Sequence, residues 1–148
     1  MTLIQQLLLG SLYLGICLAI EAGLLVFCIH LLRKRLGGQQ RTRQFLQTTV
    51  VMAIAIGLIV FAHTIQVWIW ATALFFSGAI VDWNTAIYFS LVTYTTLGYG
   101  DVVLGEGMRI FAAFGAVTGL FAFGISTAFL VAALREVFLL EERPARKA

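Results

Sequence analysis

Apolar positions along this chain gather into three long runs, and the polar residues that interrupt them are few. Leu3 to Leu32 contains one charge, Glu21. Phe45 to Phe76 contains no charge, with His63 and Gln66 as its main interruptions. Met108 to Leu140 stays apolar until Arg135. Each run exceeds the roughly 20 residues that a helix needs to cross a bilayer, so the pattern predicts three spanning helices. Between the second and third lies Asp82 to Thr96, which is too short to cross. It opens on a helix-capping residue, Asp82 or Asn84, followed by the apolar "AIYFSLV". That pattern predicts a short re-entrant helix. Backbone that is not helical is tolerated at membrane depth only where protein or a water-filled pathway satisfies it. The residues after this short helix are therefore expected to line something.

Composition agrees with a membrane solvent. Of 148 residues, 61% are hydrophobic and 11% charged, whereas soluble domains carry about 25% charged residues. One proline and no serine- or charge-rich block leave a single domain without a linker. The net charge of +3 does not indicate nucleic acid, because the basic residues sit at the ends of the runs. Arg33, Lys34, Arg35, Arg41 and Arg43 follow the first run, and Arg143, Arg146 and Lys147 close the chain. Basic residues favour the cytoplasmic side. This predicts an external N-terminus and a cytoplasmic C-terminus, with Asp82, Asp101, Glu106 and Arg109 outside. The expected organisation is a first transmembrane helix over 1–32, a basic cytoplasmic loop over 33–44, a pore domain over 45–140 and a cytoplasmic tail over 141–148. The first run lacks a basic start, is too long for a signal peptide and is interrupted by Glu21, so it reads as a retained helix. Cys17 and Cys28 lie eleven residues apart on it, about 16 Å along a helix. They cannot form a disulfide and read as inert thiols buried in lipid.

The segment "YTTLGYGD", Tyr94 to Asp101, follows the short helix. Its residue types suit a ribbon that coordinates ions through backbone carbonyls. Gly98 and Gly100 permit backbone angles that a Cβ resists, Leu97 and Tyr99 would turn their side chains away from the axis, and the Thr96 hydroxyl adds an oxygen at the inner end. The preceding helix aims its partially negative C-terminus inward, which favours a cation. With these residues in place the chain resembles the potassium channel pore-domain family, whose filter replaces the hydration shell of K⁺ with a ring of carbonyls. Leu97 stands where the family's filter usually has valine. The resemblance covers roughly 45–140 and leaves the first helix outside it.

Several expectations follow from that resemblance. The fold is an all-α integral membrane protein with three transmembrane helices plus a re-entrant pore helix and filter, assembling as a tetrameric potassium-channel-like pore. Thr96, Leu97, Gly98, Tyr99 and Gly100 form the filter for K⁺, supported by Tyr88, Phe89, Ser90, Thr93, Thr95 and Asp101. Val92 stands where some members place a glutamate that bonds the filter aspartate, so Asp101 must find another partner. Arg109, Gly119 and Gly124 reproduce the inner-helix spacing of simple two-span channels. Gly119 is either a gating hinge or a site of close helix packing. Phe123, Thr127 and Val131 recur every four residues, as a stripe that faces the cavity or packs between subunits. The arginine series of a voltage sensor is absent from both early runs, and no ligand-binding cytoplasmic domain follows the inner helix. The partners implied are K⁺, the lipid bilayer and three further copies of the chain, with no organic cofactor, and the compact chain suggests a prokaryotic plasma membrane.

Two features fall outside the resemblance. On the first helix Ser11, Gly15, Ala19 and Gly23 repeat at four-residue spacing, a seam suited to close helix contact. Glu21 lies on roughly the opposite side. A carboxylate facing lipid is expensive, so Glu21 is expected to meet the stripe of His63, Gln66 and Trp70 on the second helix, through His63 or Gln66. The pairing is either a static clasp or a proton-sensitive element. Trp68, Trp70 and Trp83 all suit an interfacial belt, Trp83 best. Rival readings are a weakly selective cation channel, a subunit of a potassium uptake system, a non-conducting assembly, and a membrane enzyme built on Glu21, His63 and the cysteines. The last leaves "TLGYG" unexplained.

Overall fold

A computed structural model describes residues 1–36 and 44–142 as four helices joined by short connections. They are α1 (Leu3–Leu36), α2 (Gln44–Phe76), α3 (Trp83–Tyr94) and α4 (Glu106–Glu142). Arg41 and Arg43 of the basic loop, and Arg143, Arg146 and Lys147 of the tail, lie outside the described residues. Three stretches are long and apolar enough to cross a membrane: Leu3–Leu31, Met52–Phe76 and Glu106–Arg135, with mean hydropathy between 2.0 and 2.4. Only 22–28% of each is buried inside the chain. A helix apolar on all sides and covered on one requires an apolar solvent for the others. Ile4, Leu8, Val60 and Phe61 occupy such outward faces.

The ends of the helices follow from local chemistry. Thr2 and Gln5 form a reciprocal capping box before α1: Gln5 N donates to Thr2 Oγ1 at 3.3 Å and Thr2 N to Gln5 Oε1 at 3.0 Å. Past the end of α2, Gly78 takes φ +72° and its N–H reaches the Phe75 carbonyl at 3.0 Å. Of the two capping candidates for α3, Asp82 does the work. Its carboxylate accepts from Thr85 N at 2.8 Å and Thr85 Oγ1 at 2.7 Å. At the start of α4, Gln6 from α1 inserts its amide into the first turn. It donates to the Glu106 carbonyl at 3.4 Å and accepts from Ile110 N at 3.1 Å. The first helix is thus fastened to the last at that end.

α1 packs on both α2 and α4, while α3 rests between α2 and α4. The core contains Trp70, Leu74, Tyr94, Phe111 and Ala122. Tyr13, Trp70 and Phe111 form its aromatic centre, with ring centroids 5.2–5.7 Å apart. A second cluster gathers Cys28 and Ala55 with Phe129 and Leu130 nearer the other end.

Two expectations, for the cysteines and for Trp70, are corrected by the packing of α1 and α2. The seam of Ser11, Gly15, Ala19 and Gly23 is exposed in the chain, and Gly15 and Gly23 have no neighbouring side chain or backbone in reach. α1 docks through Gln6, Gly10, Cys17, Glu21, Leu25 and Cys28 instead. The reason is electrostatic: a carboxylate turned to lipid costs more than a small-residue seam returns in dispersion. On that docked face Cys17 and Cys28 are both fully buried by protein, not by lipid. Trp70 is likewise in the core rather than at an interface, while Trp68 and Trp83 stack on each other at 5.8 Å.

Candidate functional site

The segment after α3 leaves helical geometry by alternation. Thr96, Gly98 and Gly100 have φ of +59°, +53° and +78°. Glycine reaches this region freely, but a β-branched residue such as Thr96 does so only under strain, about 1–3 kcal/mol. Three hydrogen bonds pin the start of the ribbon to the last turn of α3. Thr96 N donates to Thr93 O at 2.9 Å, and Leu97 N and Gly98 N both donate to Val92 O at 3.0 and 3.3 Å. Among the described residues no carbonyl from Thr96 to Gly100 accepts a hydrogen bond. A row of carbonyls that the chain itself leaves unpaired is a row of oxygens available to a cation.

Polar contacts hold the ribbon from both sides. Tyr88 donates its hydroxyl to Asp101 Oδ2 at 2.6 Å. Asp101, with valine at 92, therefore finds its partner one turn earlier on α3. This bond holds the Asp101 carboxyl below its ordinary range and pushes the Tyr88 phenol up. Ser90 is buried and donates to the Val67 carbonyl at 2.7 Å, tying α3 to α2. Thr95 Oγ1 closes the end of α3 on Leu91 O at 2.8 Å. Phe89 packs against the core, and the methyl of Thr93 lies beside Gly115. Leu97 and Tyr99 are 54% and 67% exposed, so the chain leaves these two side chains largely uncovered.

α4 passes behind this segment. Gly119 faces the Tyr94 carbonyl so closely that a Cβ there would stand 1.9 Å from the oxygen. The close-packing role of Gly119 is thereby explicit in the geometry. Gly124 has no such neighbour. Phe123 is 41% exposed, yet its ring meets His63 at a tilt, 4.6 Å between centroids, and Tyr94 edge-on at 5.6 Å. Thr127 and Val131 continue along the same exposed face.

Directly beneath lies a polar cluster that draws on every helix. Glu21 Oε2 accepts from Gln66 Nε2 at 2.8 Å, and Glu21 Oε1 accepts from Ser126. Ser126 Oγ is 3.4 Å from His63 Nε2, and His63 Nδ1 is 2.8 Å from the Tyr94 hydroxyl. Tyr94 in turn donates to Gln66 Oε1 at 3.1 Å. Glu21 and Gln66 are fully buried, and Tyr94 and Ser126 nearly so. Glu21 thus bonds Gln66 directly and meets His63 through Ser126. Gln6, Tyr94 and Ser126 escaped the sequence reading. A serine in a membrane helix is commonplace, and Tyr94 reads as part of the ribbon that follows it. Gln6 and Ser126 shared the one available signal, a polar side chain in an otherwise apolar run.

Residues 48–136, more than half of the chain, match the family model described as "Ion channel". No curated protein and no solved structure matches the chain.

Proposed function

Because the chain belongs to the ion channel family, we propose that it forms a homotetrameric, K⁺-selective channel that conducts passively through Thr96 to Gly100. The observation that carries this reading is the ribbon itself: left-handed backbone at 96, 98 and 100, carbonyls unpaired, anchored at one end to α3 and at the other through Tyr88 to Asp101. A bare cation enters only if oxygens replace its water, and such carbonyls supply them. One ribbon cannot surround an ion. Four copies about a common axis can, and would cover the exposed Leu97 and Tyr99.

In this assembly the pore domain is 45–140. The C-terminal end of α3 directs its partial negative charge beneath the ribbon, favouring a cation there. Phe123, Thr127 and Val131 line the cavity below, where apolar Phe123 and Val131 narrow it. Gly119 lets α4 lie against α3, and Gly124 supplies freedom further along. Glu21, His63 and Gln66 clasp the first helix to the pore. The basic residues after the first span and at the end of the chain support a topology with both segments in the cytoplasm and the N-terminus outside, and the proposed location is a prokaryotic plasma membrane. A weakly selective cation channel is the second reading, favoured by one observation. Leu97 adds a methylene where the filter must hold its width.

The test is oligomeric state and flux together. Native mass measurement in detergent is expected to give four chains, and proteoliposomes are expected to take up K⁺ but exclude Na⁺. A monomer, or equal uptake of the two ions, would refute the reading.

A further inference from the structure

We infer that Glu21, Ser126, His63, Tyr94 and Gln66 close into one hydrogen-bonded ring that holds a single proton shared between Glu21 and His63, and that the ring makes Tyr94 a positioning residue for the ribbon. Its effect on conduction rests on the channel reading; the ring itself does not.

Donors and acceptors must balance around the ring. The five links run Glu21 to Ser126, Ser126 to His63 Nε2, His63 Nδ1 to Tyr94, Tyr94 to Gln66 Oε1, and Gln66 Nε2 back to Glu21. Every link needs one hydrogen and one lone pair. With Glu21 ionised and His63 neutral, one link always fails. If Nε2 carries the imidazole proton, Tyr94 must donate to Nδ1 and Gln66 Oε1 goes without. If Nδ1 carries it, the Nε2 lone pair faces Ser126, whose hydrogen is already on Glu21. One added proton repairs this in two ways. Held on His63, it lets both ring nitrogens donate, and Ser126 donates to the carboxylate. Held on Glu21, it reverses two links: Glu21 donates to Ser126, and Ser126 donates to Nε2. All five links are then satisfied, and the cluster is neutral overall in both arrangements. A second proton overfills it. Ser126 or Gln66 then loses its acceptor, and a net charge is left in a buried site.

Burial makes this count consequential, because an unmet polar group inside a low-dielectric site has no water to turn to. The ring also joins the four helices: α1 by Glu21, α2 by His63 and Gln66, α3 by Tyr94, α4 by Ser126. Among the described residues the other titratable groups facing it are Cys17 from α1 and the Tyr94 phenol itself from α3. α4 contributes the Ser126 hydroxyl and the Phe123 ring. Tyr94 is the last residue of α3, two positions before the strained Thr96, and its carbonyl bears on α4 at Gly119. Releasing its hydroxyl therefore loosens the anchor of the ribbon and its contact with α4 together.

The experiment uses the full-length protein in planar bilayers, reading open probability against pH on both sides. Wild type is expected to show a plateau falling at alkaline and acid pH, by about fivefold for one lost net hydrogen bond. In Glu21→Gln the amide can donate to Ser126 and accept from Gln66, so the ring closes without the extra proton and the alkaline fall is expected to vanish. Glu21→Ala is expected to lose the plateau. A flat wild-type profile, or alkaline falls that superimpose in wild type and Glu21→Gln, overturns the role in conduction. A second readout is independent of current: ¹⁵N NMR of His63 in a His30→Gln background, which leaves one imidazole. Nδ1 donates to Tyr94 in both one-proton arrangements, so it is expected to be protonated across the plateau. An unprotonated Nδ1 there overturns the ring. A protonated Nδ1 in a protein that passes no K⁺ supports the ring and counts against the channel reading.

Discussion

Two polar regions lie one above the other in this chain, and they are built on opposite principles. The ribbon from Thr96 to Gly100 works with backbone, leaves its carbonyls unpaired and is exposed in the chain. The cluster at Glu21 works with side chains, is buried and finds its partners inside one chain. The first region leaves its polar groups without partners inside the chain. The second is self-contained and holds α1 to the other three helices. Tyr94 belongs to both, with its hydroxyl in the cluster and its carbonyl at the base of the ribbon. Unpaired polar groups point to a partner outside the chain, and satisfied ones point to a fixed internal geometry.

Substitutions at the shared boundary should break this division most severely. Gly119→Ala forces a methyl into the Tyr94 carbonyl, and neither backbone can yield without moving its helix. A loss of about 1–3 kcal/mol is expected from such overpacking, read as a lowered melting temperature of the purified protein. A melting temperature like that of wild type would mean that α3 and α4 do not approach so closely. Within the cluster, Ser126→Ala leaves Glu21 Oε1 without its donor and is expected to cost about 1–2 kcal/mol. Ser126→Thr, which keeps the hydroxyl, should recover most of it. Equal losses in the two variants would assign the effect to packing.

The smallest effect concerns the outer anchor of the ribbon. The Tyr88 hydroxyl holds the Asp101 carboxyl below its ordinary range. The contact is therefore complete above the ordinary carboxylate range and is lost as pH falls through the lowered value. Tyr88→Phe removes the bond at every pH, so K⁺ flux is expected to be lower than in wild type near neutral pH and to lose the part of the acid fall that wild type owes to this contact. Identical acid profiles would mean that the bond carries no weight in the ribbon.

Local features of this architecture were legible from the residues. Each span is a continuous apolar run, the cap at Asp82 lies three residues from its partner, and the ribbon is contiguous. The meeting of Glu21 with Gln66 was also legible, because a lone carboxylate in an apolar run has few partners to choose from. Which residues besides Glu21 fasten α1 was not. Ser11, Gly15, Ala19 and Gly23 lie on the other face, and Gln6, which completes the docked one, bonds a partner 100 residues away. Ser126 and Tyr94 entered the cluster through contacts 105 and 28 residues apart, and no periodicity along one helix encodes such a pairing.

The most direct measurement is the reversal potential of the reconstituted channel with K⁺ on one side of a planar bilayer and Na⁺ on the other, in wild type and in Gly98→Ala. A potential near the K⁺ limit in wild type, collapsing in the variant whose alanine resists the left-handed backbone at 98, is the predicted result. A wild-type potential near zero with current flowing, or one unchanged by Gly98→Ala, would contradict a filter at Thr96 to Gly100.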